Sequence, residues 1–267
     1  MRSDPAFFVT GGAHGIGAAF VRLAVARGAR VAIGDVDLPA AHAVAAEFGE
    51  RVAVLELDVR DAAAWGRALE AAWRRFGAVD VLVNNAGLLH GGTLLEQPED
   101  QLREMLEVNL LGVANGMRAY VPRAISRGEG HVVNVASLAG YVALPGQAFY
   151  SATKHAVRAL HQAFSMELET QAVTFTLVCP GAVETRMLRQ QIPVDSNAVA
   201  FAGRVLDPDE VAAAIWSAAT RRPREILLPL ADGFGGKLLG IFPAALALVM
   251  RRARRVGLTA LRARRRR

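Results

Sequence analysis

The chain has 267 residues, 52% hydrophobic and 21% charged, enough apolar material for a sizeable core and too much for a disordered chain. A single cysteine, Cys179, excludes an intramolecular disulfide framework. The net charge of +6 is uneven: residues 250–267 hold nine arginines and no acid, so nine of the positive charges sit there and the first 249 residues carry −3. The opening residues, Met1 to Pro5, lack the apolar stretch and small-residue cleavage site of a signal peptide, so a cytoplasmic protein is expected.

Phe7-Phe8-Val9 is a short apolar run, expected as a buried strand. It opens into Thr10-Gly11-Gly12-Ala13-His14-Gly15-Ile16-Gly17, followed by an apolar-periodic segment with Phe20, Val21, Leu23, Ala24 and Val25. Strand, glycine-rich turn and helix in this order suit a diphosphate, because glycine lets the backbone approach it and the helix start offers free N–H groups. Val31 to Asp35 reads as a second strand ending on an acid, 18 residues after Gly17. In dinucleotide folds a carboxylate near this place meets the adenosine ribose hydroxyls. Nucleotide binding is therefore expected, against the alternative of a tight turn and a solvated aspartate.

The alternation continues. Residues 38–48 read as a helix, 52–57 as a third strand leading to Asp58-Val59, and 61–76 as a helix with Trp65, Leu69 and Trp73 on one face. A fourth strand over 79–83 ends in Asn84-Asn85-Ala86-Gly87, and a long helix over 98–127 carries Asn109. A fifth strand, 131–136, ends at Ser137. The next helix carries Tyr150 and Lys154, one turn apart on one face, where an ammonium favours the phenolate and brings a tyrosine nearer working pH. A sixth strand over 173–178 runs into Cys179-Pro180-Gly181, Asp207 caps a helix to about 220, and 225–228 is a seventh strand. Strands alternating with helices predict an α/β fold, a doubly wound parallel sheet of about seven strands. One domain is expected over residues 1–233, with an apolar and then arginine-rich extension over 234–267.

Thr10-Gly11-x-x-x-Gly15-Ile16-Gly17, Asn84-Asn85-Ala86-Gly87, Asn109, Ser137, Tyr150-x-x-x-Lys154 and Pro180-Gly181-Ala182-Val183-Glu184-Thr185, in this order, resemble the short-chain dehydrogenase/reductase family over roughly residues 5–230. The resemblance implies an oxidoreductase that moves a hydride between a nicotinamide and an alcohol, ketone or aldehyde. It makes Tyr150 the general acid/base, Lys154 the group that lowers the Tyr150 pKa and holds the ribose, Ser137 the partner of the substrate oxygen, and Asn109 the holder of a water linking Lys154 to solvent. It places Gly11, His14, Gly15, Ile16 and Gly17 at the diphosphate, Asp58 and Val59 at the adenine, and Asn85, Ala86, Gly87, Pro180, Gly181, Val183 and Thr185 around the nicotinamide. No metal is implied, and a homodimer or homotetramer is a family expectation. Asp35 favours NAD over NADP, because a carboxylate accepts from the 2′-hydroxyl and repels a 2′-phosphate; His14 is a weak counter-signal. The alternative is a catalytically silent nucleotide-binding protein that works through its tail.

The loop over about 186–205 is rich in apolar residues. Met187 and Leu188, with Leu138, Val142 and Leu144, would line a site for a hydrophobic small molecule. Leu238 to Met250 carry no charge and precede the arginines. Thirteen residues fall short of the ~20 that span a bilayer. Residues 237–267 suit peripheral contact with an anionic membrane. Packing on a neighbouring subunit, or over the substrate entrance, is the second reading. Nucleic acid is disfavoured, because the arginines lack aromatic neighbours and the body is acidic.

Overall fold

The first apolar run forms β1 (Ala6–Thr10), whose five residues are all buried. In the computed structural model, which describes residues 4–266, the polar residues 1–3 and Arg267 lie outside the described part. Six further strands follow: β2 (Arg30–Asp35), β3 (Val52–Glu56), β4 (Val81–Asn84), β5 (Gly130–Val135), β6 (Val173–Pro180) and β7 (Glu225–Leu228). All pair in parallel, in the order β3-β2-β1-β4-β5-β6-β7. The chain order reverses beside β1, and the crevice between β1 and β4 lies at that switch point.

Both sheet faces are covered, which is why the strands read as continuous apolar runs. Successive residues of β1 face opposite layers: Phe7 packs on Phe20 and Trp216 at ring distances of 5.3 and 5.8 Å, and Phe8 packs on Trp65 at 5.7 Å. One layer holds α1 (Gly15–Ala26), α2 (Leu38–Ala46) and α8 (Pro208–Arg221). The other holds α3 (Ala62–Phe76), α5 (Gly112–Arg127) and α6 (Ala148–Glu167). Trp65, Leu69 and Trp73 all face this second core, as their spacing predicts. Burying side chains of this size contributes roughly 2–3 kcal/mol each.

The stretch expected as one helix over 98–127 is helical throughout, with a widened turn inside it. It comprises α4 (Glu99–Leu106), a π-helical segment at Glu107–Leu111, and α5. The wider turn falls on Asn109, and such segments often mark functional positions. After β6 come the short α7 (Arg186–Arg189) and a 3₁₀ stretch, Asp195–Phe201. The chain ends with α9 (Leu230–Ile241) and α10 (Pro243–Arg265). A boundary between 233 and 234 would cut α9 in its first turn. Nor is the extension separate: α10 packs along the 3₁₀ stretch, with Leu261 fully buried against Leu188 and Phe201.

Candidate active site

A cleft of about 1190 Å³ runs along the C-terminal edge of the sheet. Its first end is the turn after β1. Gly11 and Gly15 have φ of +67° and +49°, the left-handed region that favours glycine. A Cβ on Gly17 would collide with the Gly11 carbonyl. The turn is braced from β4: Asn85 Nδ2 donates to the carbonyls of Thr10 (2.9 Å) and Gly11 (3.1 Å), and Thr10 Oγ1 accepts from the N–H groups of Asn85 and Ala86, both at 3.0 Å. The Asn85 amide thus braces the turn, and the residue also lines the cleft beside Ala86 and Gly87. The start of α1, with His14 as N-cap and no side chain capping it, faces the cleft with Gly15 and Ile16. This cradle fits the diphosphate of a dinucleotide: close backbone approach, free N–H groups and a helix N-terminus.

Asp35, at the end of β2, lines the cleft. Its carboxylate accepts from the N–H groups of Ala13 (2.9 Å) and Asp37 (3.0 Å). His14 Nε2 lies 2.8 Å from Asp37 Oδ2, and this hydrogen bond is the main cause holding the Asp37 carboxyl below its usual pKa. Two carboxylates therefore stand where the second strand meets the glycine turn. Asp58, Val59 and Arg60 form the adjoining wall, and Arg60 is paired to Asp58 with a shortest contact of 2.6 Å.

The middle of the cleft gathers Ser137, Tyr150 and Lys154 from the end of β5 and the first turns of α6. Ser137 Oγ caps the following 3₁₀ turn by accepting from Ala139 N (3.1 Å), and donates to the Pro180 carbonyl (3.3 Å). Lys154 is 4% exposed, its Nζ 3.4 Å from the Val135 carbonyl and 5.7 Å from the centre of the Tyr150 ring. Burial pushes the Tyr150 phenol up to about 12, against a smaller opposing pull from Ser137, and draws the Lys154 ammonium down to about 8. Burial thus sets the net direction for the Tyr150 phenol in the protein alone. Desolvation penalises both charged forms. At neutral pH Tyr150 keeps its proton and Lys154 its charge.

Asn109 sits behind this cluster and is fully buried. Its Oδ1 accepts from Leu88 N (2.8 Å), and its Nδ2 donates to Leu88 O (2.9 Å) and approaches Thr153 Oγ1 (3.3 Å). It ties the loop after β4 to α6, and a Cβ on Gly87 would lie 3.2 Å from Asn109 Oδ1 and 3.6 Å from Lys154 Nζ. Ala86, Gly87, Pro180, Gly181, Val183 and Thr185 all line the cleft beside the cluster. Of the residues expected at the site, Gly17 and Asn109 support the cleft from behind and do not line it.

The far end is apolar. Leu138, Val142, Leu144, Met187 and Leu188 line it, as expected, with Val194 and Val199. Ile192 and Phe201 of the same loop pack inside it, in the cluster around Leu261 that also holds Leu188. The C-terminal extension takes part, in line with its second reading as a cover over the entrance, and one polar residue was not foreseen. Gly235, Gly236 and Leu239 of α9, and Val249, Met250 and Ala253 of α10, complete this wall. Gln147, the N-cap of α6, is 4% exposed and lines the cleft, and its amide makes no hydrogen bond among the described residues. A fixed, unpartnered amide beside the reacting cluster is a polar contact that spacing could not reveal.

The description "short chain dehydrogenase" is that of the family whose sequence pattern matches residues 5–195. A 3-alpha-(or 20-beta)-hydroxysteroid dehydrogenase of Mycobacterium tuberculosis (strain ATCC 25618 / H37Rv) is 40% identical over 206 residues, 76% of this chain and 77% of the relative. A 2,5-dichloro-2,5-cyclohexadiene-1,4-diol dehydrogenase of Sphingobium indicum is 36% identical over 180 residues, 66% of this chain and 72% of the relative. Among solved structures, a short chain dehydrogenase/reductase from Burkholderia phymatum in complex with NAD aligns with a TM-score of 0.81 at 28% identity, covering 89% of this chain and 94% of that one. A 3-ketoacyl-(acyl-carrier-protein) reductase from Brucella melitensis complexed with NADH aligns with a TM-score of 0.76 at 27% identity, covering 85% and 98%. The chain belongs to the short-chain dehydrogenase family, oxidoreductases that act on CH–OH groups with a nicotinamide cofactor.

Proposed function

We propose that the protein is an NAD-linked dehydrogenase of a hydrophobic secondary alcohol, or reductase of the matching ketone, with Tyr150 as its acid/base. The observation that carries this reading is the convergence of Ser137, Tyr150 and Lys154 on one cleft, between a glycine cradle at one end and an apolar chamber at the other. When bound, the nicotinamide supplies the hydride donor or acceptor and, in its oxidised form, a positive charge. Tyr150, protonated at neutral pH, is suited to donate to a carbonyl oxygen, and Ser137 to hold that oxygen by a hydrogen bond. Lys154 is suited to hold ribose hydroxyls, and a cation bound nearby would lower the phenol for the reverse reaction. Asn109 holds Leu88 and α6 in register, so that the phenol and the ammonium keep their places.

The volume supports two ligands, since one small-molecule pocket typically spans ~300–1,000 Å³. The apolar far wall supports a large hydrophobic substrate, and the hydroxysteroid dehydrogenase relative points the same way. Asp35, with Asp37 beside it and His14 drawn to Asp37, favours the 2′-hydroxyl of NAD over a 2′-phosphate. Reading reduced-nicotinamide absorbance across steroid, aliphatic and small polar alcohols and ketones tests the proposal. The hydrophobic secondary alcohols should give the higher kcat/KM with NAD. A preference for small polar substrates, or for NADP, would refute it.

A further inference from the structure

Four apolar residues of α9 lie on its outer surface: Leu230, Phe234, Leu238 and Ile241, 62, 61, 61 and 69% exposed. Their spacing of four, four and three places them on one helical face. Phe242 and Leu248 (56 and 69%) extend the patch into α10. From there the outer face of α10 turns basic: Arg252, Arg255 and Arg262 follow Leu248 at four, seven and fourteen residues, on the same side. Exposed apolar residues gathered on one helical face mark an interaction site.

The charges say what it meets. Between residues 230 and 266 the sequence has one acid, Asp232. Lys237, Arg264 and Arg265 are held by Glu225, Glu184 and Asp195. Arg251, Arg252, Arg254, Arg255 and Arg262 have no carboxylate partner among the described residues. A second copy docking through a two-fold axis would oppose two arginine-rich faces with no acids between them. A nucleic acid would match the arginines and leave the leucine and phenylalanine stripe in water. An anionic lipid surface satisfies both halves, with the stripe among acyl chains and the arginines at headgroups. No described helix is long and apolar enough to cross a membrane, so the pair would lie along it.

We infer that α9 and the outer face of α10 form a docking surface for an anionic lipid bilayer. The inner faces of the same helices wall the cleft, through Gly236 and Leu239 of α9 and Met250 and Ala253 of α10. A docked protein would thus open its apolar chamber beside the lipid, where a hydrophobic substrate concentrates. That last step rests on the proposed dehydrogenase reading. Lipid binding is measured without substrate or cofactor, so the two ideas fail separately.

The test is co-sedimentation of the full chain with phosphatidylcholine vesicles, with and without phosphatidylserine. The unmutated protein should pellet with the phosphatidylserine vesicles, at least ~tenfold more than with phosphatidylcholine alone, and less as salt rises. Phe234→Ser/Leu238→Ser, two exposed positions outside the cleft, should lose pelleting while Tm and oligomeric mass stay unchanged. Arg252→Gln/Arg255→Gln should weaken it severalfold. The inference is overturned if the unmutated chain does not pellet, or if the serine variant pellets equally. It is also overturned if the serine variant falls in oligomeric mass, which gives the stripe to a second copy, or if the chain holds single-stranded DNA and ignores the vesicles.

Discussion

At the floor of the cleft, Asn109, Asn85 and Thr10 are tied by hydrogen bonds of 2.8–3.0 Å to backbone at the ends of β1 and β4, with Lys154 and Ser137 held against β5 and β6. At its rim, α10 is held by Leu261 in a cluster with Leu188 and Phe201, and by Arg264–Glu184 and Arg265–Asp195, both at 2.6 Å. The rim pairs are about one-third or more exposed, and such pairs are worth ~0–1 kcal/mol. Buried hydrogen bonds cost more to break, because the orphaned group stays out of water. Chemistry that depends on a proton's position sits on the part that resists change. The apolar wall leans instead on a small cluster and on partly exposed ion pairs.

Breaking the floor should have the largest effect. Lys154→Met should lower kcat/KM by ~10²–10³-fold and also weaken NAD(H) binding in a fluorescence titration, since one ammonium serves both. An unchanged NAD(H) affinity would remove the ribose role.

Acid should loosen the sheet beneath the floor next. Burial lowers His131 to about 3 and His161 to about 4, and Asn134 Nδ2 lies 3.1 Å from His161 Nδ1, a contact that suits a neutral ring. The unfolded chain takes up these protons below about 6.5 while the folded chain does not, so stability is lost as pH falls from about 6.5 toward 4. Unfolding free energies from urea titrations at pH 7 and pH 5 should differ by a few kcal/mol, about 1.4 per unit for each histidine. Equal midpoints would show that neither ring is kept neutral.

A smaller effect separates the two cofactors. Asp35→Ala should raise the NADP/NAD ratio of kcat/KM by ~10-fold or more, as expected for losing one repulsive carboxylate. The smallest effect belongs to the rim. Arg264→Ala should cost under ~1 kcal/mol of stability and change the KM of a bulky substrate severalfold with kcat held. A collapse of kcat would place α10 in the machinery of the floor.

The two regions also differ in how far the sequence disclosed them. The strands, the glycine turn and the convergence of Ser137, Tyr150 and Lys154 were legible, because local periodicity and fixed spacings carry them. Asn109 was placed on a helix, yet the π segment under it was not foreseen, because a widened turn depends on tertiary partners such as Leu88. The burial that raises Tyr150 and lowers Lys154 was not legible, because spacing shows the neighbouring ammonium but not the desolvation of both groups. The inner contacts of α10 were hidden for a related reason. Gly257, where a Cβ would collide with the Ala198 carbonyl, and Leu261 give no signal of the loop they cover.

The central claim is that Tyr150 moves the proton while the rest of the cleft holds the cofactor. It is tested most directly by Tyr150→Phe, following reduced-nicotinamide absorbance with a hydrophobic secondary alcohol and NAD, with NADH binding measured on the same samples. The account predicts that turnover falls by ~10³-fold while NADH affinity stays within about twofold. Turnover retained by the phenylalanine variant, or NADH affinity lost with it, would contradict it.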